Sequence, residues 1–341
     1  MKRALIVGAS SQAGYYLWKL LEQKGYQVIG TLKNGMSNYY DSKKTLCHLP
    51  RINIQLNLLE KTSETWQSFG SALHGFEIDE VYNLASRMYA PDSWESPDEY
   101  MVVNGIAPMV LLDVIRKVVP QVKYFQAGSA EVFDKAWQVQ DEHTPRKASS
   151  PYALSKIVAE DTVKMYRSKY GLFACTGILF NMESPRRAKS FFAEKVIHEV
   201  VKAKLEFDRT GRRQKIKFGD LSAKRDWGLT AEYVEAMWLM LQQDQPRDFV
   251  IGTGVSRSCM SYVTEAIKAV GLDASNVEIE ASYSSETLDV MHAFPVLIKE
   301  ELGWEAKSKF ERVVRSLVAD IGGFDEQGKK EEVSTNDQVS R

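Results

Sequence analysis

Apolar residues in the first two-thirds of the chain fall into short unbroken runs, separated by stretches of helical spacing. Ala4-Leu5-Ile6-Val7 has no polar interruption, which predicts a strand buried on both faces. Leu17, Leu20 and Leu21 recur three and four residues apart across Tyr15 to Lys24, which predicts a helix that Gly25 ends. Gln27 to Gly30 reads as a second strand, Glu80 to Leu84 as a later one and Val122 to Gln126 as another. A helix is predicted between those last two, over roughly Gly105 to Val119. Thr162 to Lys169 is helical in spacing and Phe173 to Leu179 returns to strand. Strands alternating with helices predict right-handed βαβ units, and so an α/β fold with a doubly wound parallel sheet. Ligands of such sheets lie at the carboxyl ends of the strands.

After Asn181 the pattern loosens and turns basic, with Arg186, Arg187, Lys189 and Lys195, as expected of a smaller C-terminal substrate lobe. The division this predicts is a nucleotide domain over 1–180 plus about 227–254, and a substrate lobe over 181–226 plus about 255–320. The polar, charged residues 321–341 are expected to be a flexible tail. With 341 residues, 44% hydrophobic and 26% charged, the chain has the composition of a soluble globular protein. A net charge of −1 gives no reason to expect nucleic acid or an anionic membrane as partner. Cys47, Cys175 and Cys259 are odd in number and widely separated, which fits a reducing cytoplasm and neither a disulfide framework nor a metal site. The chain enters a strand at once, so no cleavable leader is expected, and no apolar run approaches the ~20 residues of a membrane helix.

The turn after the first strand, in "LIVGASSQAG", raises the first chemical question. Gly8 and Gly14 fit a dinucleotide-binding turn, the first for a tight reversal and the second for close helix–strand packing, with the helix N-terminus facing a pyrophosphate. Ser11 stands where that turn usually has its middle glycine; its hydroxyl could donate to a ligand, or the segment could be a strand–turn–helix with none. An NAD site normally carries an acid about 20 residues on. Ile29 to Asn34 has no acid and offers Lys33, which favours the 2′-phosphate of NADP over NAD unless Lys33 is simply a solvated lysine. Further along, "SPYALSK" spaces Tyr152 and Lys156 so that both share one helix face. An ammonium there should lower the phenol's pKa and make it a usable base. Upstream, "FQAGSAEVF" puts Ser129 at the end of a strand. Ser129, Tyr152 and Lys156 are in the order used by short-chain dehydrogenases. Ser129 would bind the substrate oxygen, Tyr152 would take its proton, and Lys156 would tune Tyr152 and hold the nicotinamide ribose.

The chain resembles the GDP-mannose 4,6-dehydratase family, in the extended branch of the short-chain dehydrogenases with their Rossmann sheet. The resemblance rests on "YNLAS", "SWESPDEY", "SPYALSK", "GILFNMESPRR", "AKRDWG", "YVEAMWLMLQ", "DFVIGTG" and "LGW", spread over nearly all the chain to about residue 320. It implies NADP held by Gly8, Ser10, Ser11, Gln12, Ala13, Gly14, Lys33, Asn57, Leu58, Leu84, Ala85, Tyr152, Lys156 and Arg187. It implies hydride leaving C4 of a nucleotide sugar and returning at C6, with Glu131 removing the C5 proton. Glu131 is two residues past Ser129, and in an extended segment both would point the same way. Asn181 and Lys195 are implied as substrate contacts, and Arg225 as a diphosphate ligand suited by its planar fork. Arg186 and Arg187 match a loop that contacts cofactor across a tetramer interface in the family.

Several positions depart from the family. Its Thr-Ser-Glu is Ser129-Ala130-Glu131, and Ala130 cannot relay a proton. Its Gln-Ser-His-Val is Arg87-Met88-Tyr89-Ala90, in a region that lines the sugar pocket, so Arg87 and Met88 are expected to touch substrate. An arginine that helps hold the nucleotide aligns with Ser284. The resulting expectation is a cytoplasmic, NADP-dependent nucleotide-sugar 4,6-dehydratase acting on GDP-mannose or a related GDP-sugar. A nucleotide-sugar epimerase or 4-keto reductase on the same scaffold stays open, as does a weakly catalytic nucleotide-binding protein. A homodimer or homotetramer is expected, paired through the helices of Ile106, Met109, Val110 and Val114 and of Tyr152, although those apolar residues could instead only cover the sheet.

Overall fold

The structure is a computed structural model that describes residues 1–32, 39–40, 46–47, 50, 52–59, 63–273, 275–282 and 289–323. Lys33, Ser284 and the tail from 324 lie outside the described residues. In chain order the elements begin with β1 (Arg3–Val7), α1 (Gln12–Gln23), β2 (Gln27–Leu32), β3 (Tyr39–Tyr40), β4 (Leu46–Cys47), β5 (Ile52–Gln55) and α2 (Ser63–Gly75). Next come β6 (Glu80–Asn83), α3 (Pro97–Tyr100), α4 (Ala107–Val118), β7 (Lys123–Ala127), α5 (Pro151–Tyr170), β8 (Ala174–Leu179) and β9 (Asn181–Glu183). The chain continues through α6 (Phe192–Thr210), β10 (Gln214–Asp220), β11 (Lys224–Leu229), α7 (Thr230–Leu241), β12 (Phe249–Ile251) and β13 (Ser256–Ser258). It closes with α8 (Cys259–Ala269), β14 (Val277–Ser282), α9 (Val296–Leu302) and α10 (Phe310–Gly322).

Seven strands form the predicted parallel sheet, in the order β12-β8-β7-β6-β1-β2-β5. Central strands β6 and β8 are buried at every residue, the polar Glu80, Asn83 and Thr176 included, whereas the edge strand β5 alternates. One face is covered by α1 and α7, which contribute Leu17, Trp18, Leu21, Tyr233 and Met237 to one core. The other is covered by α2, α4 and α5 through Phe69, Leu73, Leu111, Ile115 and Val163. A separate core gathers α6, β10, β11, α8 and α10 around Val196, Trp227, Tyr262 and Val313. From β1 the chain winds outward to β2 and β5, then returns to β6 and winds the other way. The crevice at this switch between β1 and β6 is where such a sheet binds ligands.

Local physics moves several predicted boundaries. Helix α1 starts at Gln12, three residues before the predicted Tyr15, because Ser11 is its N-cap and accepts from the Gly14 amide at 3.0 Å. The Ser11 hydroxyl therefore serves its own helix. The predicted Gly105–Val119 helix begins at Pro97 and passes through a π-helical stretch, Met101–Ile106, before α4. There Gly105 packs so tightly on α5 that a Cβ would stand 3.3 Å from Val158 Cγ1. The Thr162–Lys169 segment is part of one 20-residue helix, α5, capped by Ser150 and closed by Gly171 at φ 66°. Helix α10 runs to Gly322, past the point where the tail was expected to begin.

Candidate active site

Two adjoining clefts open at the switch point. The first, of about 380 Å³, is bounded by the turn after β1, the ends of β2 and β6 and the 186–188 loop. Gly8 sits at φ +89°, and a Cβ there would come within 2.8 Å of the Ala85 amide nitrogen; a Cβ on Gly14 would meet the Gly8 carbonyl at 2.5 Å. Both predicted glycine requirements thus have a steric cause. Thr31 accepts from the Gly8 amide at 3.1 Å and steadies the turn. Ser10, Ser11, Gln12, Asn57, Leu58, Leu84, Ala85 and Arg187 all line this cleft, and Ala13 lines the second. The first cleft also has Arg87 and Arg186 on its wall, and no carboxylate among its described lining residues. The tight glycine turn, the helix N-terminus and the basic wall suit a nicotinamide dinucleotide.

The second cleft, of about 480 Å³, brings together Ser129, Glu131, Tyr152, Lys156, Asn181, Lys195 and Arg225, with Met88 and Arg187 shared with the first. Tyr152 and Lys156, one turn apart on α5, are both buried. Ser129 lines the same cleft as the Tyr152 phenol. Burial pushes that phenol up to about 12 against the pull of Ser129, with the Glu131 carboxylate adding to the rise. Lys156 is not among the principal groups that move it. Its Nζ stands 5.9 Å from the Tyr152 ring centre and donates to the Ala127 carbonyl at 3.0 Å, while burial pushes the ammonium down to about 8. Glu131 reaches the cleft from a single 3₁₀ turn, Ala130–Val132, and not from the extended segment predicted. Ser129 caps that turn, accepting from the Glu131 amide at 3.3 Å.

Arg87 stands apart from the other predicted substrate contacts. It lines only the first cleft, and its guanidinium pairs with Glu99 and lies over the Tyr100 ring. Arg187 is turned inward, ion-paired with Glu183 at 3.5 Å and stacked over Phe191, and Arg186 lies over Tyr15. Sequence reasoning passed over Asn104, which is buried and binds the Arg87 amide at 2.9 Å, the Arg87 carbonyl at 3.0 Å and Ser155 at 3.2 Å. It ties the end of β6 to α5. A lone Asn beside Gly in a helical run was the available signal, since Asn seldom sits mid-helix without side-chain work. Asp226, inside the "AKRDWG" string, anchors the loop after β12 by accepting from the Thr253 and Gly254 amides at 2.9 Å each.

A Rossmann sheet, a Ser–Tyr–Lys set and a second cleft for the substrate define an extended short-chain dehydrogenase scaffold. The profile of the GDP-mannose 4,6 dehydratase family matches residues 5–317. GDP-mannose 4,6 dehydratase 1 of Arabidopsis thaliana is 36% identical over 326 residues, covering 93% of this chain and 89% of its own. GDP-mannose 4,6 dehydratase of Homo sapiens is 32% identical, covering 93% and 91%. Among solved structures, UDP-glucose 4-epimerase of Thermotoga maritima with UDP-glucose superposes with a TM-score of 0.78 at 19% identity, covering 93% of this chain and 98% of that one. The chain belongs to the GDP-mannose 4,6-dehydratase family, a family of nucleotide-sugar 4,6-dehydratases.

Proposed function

We propose that the protein removes water from a GDP-hexose, GDP-mannose in the simplest case, to give a 4-keto-6-deoxy sugar, with NADP as its resident cofactor. The observation that carries this reading is the convergence of Ser129, Glu131, Tyr152 and Lys156 on one cleft that adjoins the Gly8 turn. Bound NADP supplies a hydride acceptor and donor, so none is consumed overall. Ser129 and Tyr152 bind the C4 oxygen, and Tyr152 takes its proton while Lys156 supplies positive charge. The 4-keto group makes the C5 proton acidic, and Glu131 removes it. Ala130 cannot carry a proton, so Glu131 also returns that proton to the departing C6 hydroxyl, which leaves as one water; the proton held by Tyr152 then goes to C5 as hydride returns to C6, which completes the 4-keto-6-deoxy sugar and resets the phenol. Arg225 and Lys195 take the diphosphate and sugar side. The choice of NADP is supported by Arg87, Arg186 and Arg187 on a cleft wall with no carboxylate among its described residues.

Incubating the purified protein with GDP-mannose should give a product lighter by one water in mass spectrometry. Unchanged mass with NADP bound would overturn the reading. An isomer of equal mass would place the protein with the epimerases, a reading that Ala130 and the apolar Met88 keep open. A homodimer is supported by Ile106, Leu154, Met165 and Tyr170, which are exposed on the α4–α5 side, while Met109 and Val114 pack on the sheet. Leu154→Glu with Met165→Glu should halve the mass seen by light scattering. A cytoplasmic site is supported by buried free Cys175 and Cys259; no helix among the described residues is long and apolar enough to cross a membrane. The division into a nucleotide domain and a substrate lobe is supported by the separate core around Val196, Tyr262 and Val313, which also takes in Trp227 at the boundary.

A further inference from the structure

Arg225 does not stand alone in the second cleft. Its Nη2 donates to Asp289 Oδ2 at 2.5 Å, and its Nη1 donates to the carbonyls of Lys224 at 2.8 Å and Asp289 at 3.0 Å. The same Oδ2 lies 3.4 Å from Lys135 Nζ. That ammonium is in turn 3.5 Å from Glu131 Oε2. One carboxylate oxygen thus joins the arginine on the diphosphate side to the lysine that faces the proposed base. Main-chain bonds fix Asp289 beside β11: Lys224 donates to its carbonyl at 2.9 Å, and Met291 donates to the Lys224 carbonyl at 3.0 Å. Asp289 Oδ1 is buried and has no hydrogen-bond partner among the described residues, so the side chain works through Oδ2. Arg225 and Lys135 outweigh the burial that would raise the Asp289 carboxyl, and hold it below the usual range.

Lys135 and Asp289 are each about a third exposed, and ion pairs of that kind add little to stability. Their worth is directional. A guanidinium held by a carboxylate and two carbonyls has its fork fixed before a ligand arrives, which lowers the ordering cost of binding. Lys135 alone could be a local partner of Glu131, four residues away. Its second contact comes from 154 residues further along the chain and makes the pairing a bridge between segments.

We propose that Asp289 and Lys135 are positioning residues, Asp289 aiming Arg225 at the substrate diphosphate and Lys135, tethered to the same carboxylate, holding Glu131 toward the sugar. The proposal rests on the dehydratase reading above. The test compares full-length wild type with Asp289→Asn, Lys135→Met and Lys135→Arg. It reads binding of GDP, UDP and dTDP alone, KM and kcat for GDP-mannose, and the isotope effect with sugar deuterated at C5. Asp289→Asn should weaken binding of the nucleotide that wild type prefers by about tenfold and raise KM by a similar factor. Lys135→Met should leave nucleotide binding within about twofold, lower kcat about tenfold and enlarge the C5 isotope effect, because proton removal becomes slower. Lys135→Arg should restore most of the kcat. A variant that merely folded less would lose active protein without a larger isotope effect. Unaltered nucleotide affinity in Asp289→Asn overturns the proposal, and so does an unaltered isotope effect in Lys135→Met. If wild type binds a nucleotide diphosphate yet leaves GDP-mannose intact, the dehydratase reading fails, while the affinity of Asp289→Asn still decides the role of Asp289.

Discussion

Lys156 and Arg225 are both cations of the same cleft, and the fold houses them in opposite ways. Lys156 is buried on α5 with one hydrogen bond, to a main-chain carbonyl, and no ion pair involving it is found among the described residues. Arg225 has a carboxylate and two carbonyls around it. The first arrangement leaves the charge costly and therefore active, with the ammonium pushed down to about 8. The second cancels much of the charge but fixes its direction. A cation placed beside reacting atoms is left uncompensated, and a cation that receives a ligand is braced.

The contrast can be broken most strongly at the floor of the cleft. Tyr152→Phe and Glu131→Gln should each lower kcat by about a thousandfold, read as loss of dehydrated product, since each removes a proton-transfer group. If both turned over normally, the site assignment would be wrong. Lys156→Met should abolish activity yet stabilise the fold at pH 7 by on the order of 3 kcal/mol, read by chemical denaturation. The folded lysine ionises near 8 and the unfolded one near 10.5, so the folded state binds fewer protons between those values. Wild-type stability therefore rises with pH over that window, and the advantage of Lys156→Met fades as it does. An advantage constant up to pH 10.5 would mean that the charge of Lys156 is not the source of strain.

At the braced end the effect is smaller. Arg225→Ala should raise KM between about tenfold and a hundredfold with little change in kcat, because it removes charged hydrogen bonds to the diphosphate. The smallest change is at the first turn. Ser11→Ala should cost about 1 kcal/mol of stability through the lost cap, measured by thermal unfolding, and should leave kcat at saturating cofactor unchanged. A large loss of cofactor affinity would instead mean that the hydroxyl reaches the ligand.

The parallel sheet was legible because Ala4–Val7 has no polar break and Phe173–Leu179 is broken only by Thr176, a pattern that burial on both faces explains. Tyr152, Lys156 and Ser129 were legible because helical spacing and strand ends are local properties. The direction of the Tyr152 shift was not, since it depends on how much protein lies over the phenol, and spacing carries no such information. Nor was the Glu131 turn, because one 3₁₀ turn leaves no periodicity to detect. Lys135 and Asp289 were silent for a different reason: each is an ordinary surface charge until the fold brings it to the other. Ser11 was readable as a cap, with a small-residue turn before a helix, but the dinucleotide pattern drew attention to its hydroxyl as a ligand.

Gln12 carries a consequence for how the protein must breathe. Its buried side chain donates to the Met182 carbonyl at 3.1 Å and accepts from Ser184 Oγ at 2.8 Å and Thr230 Oγ1 at 3.4 Å. The first turn of α1, strand β9 and the start of α7 are thereby bolted together at the root of the crevice. To separate the loop after β1 from the strand that carries Asn181, these bonds would have to break.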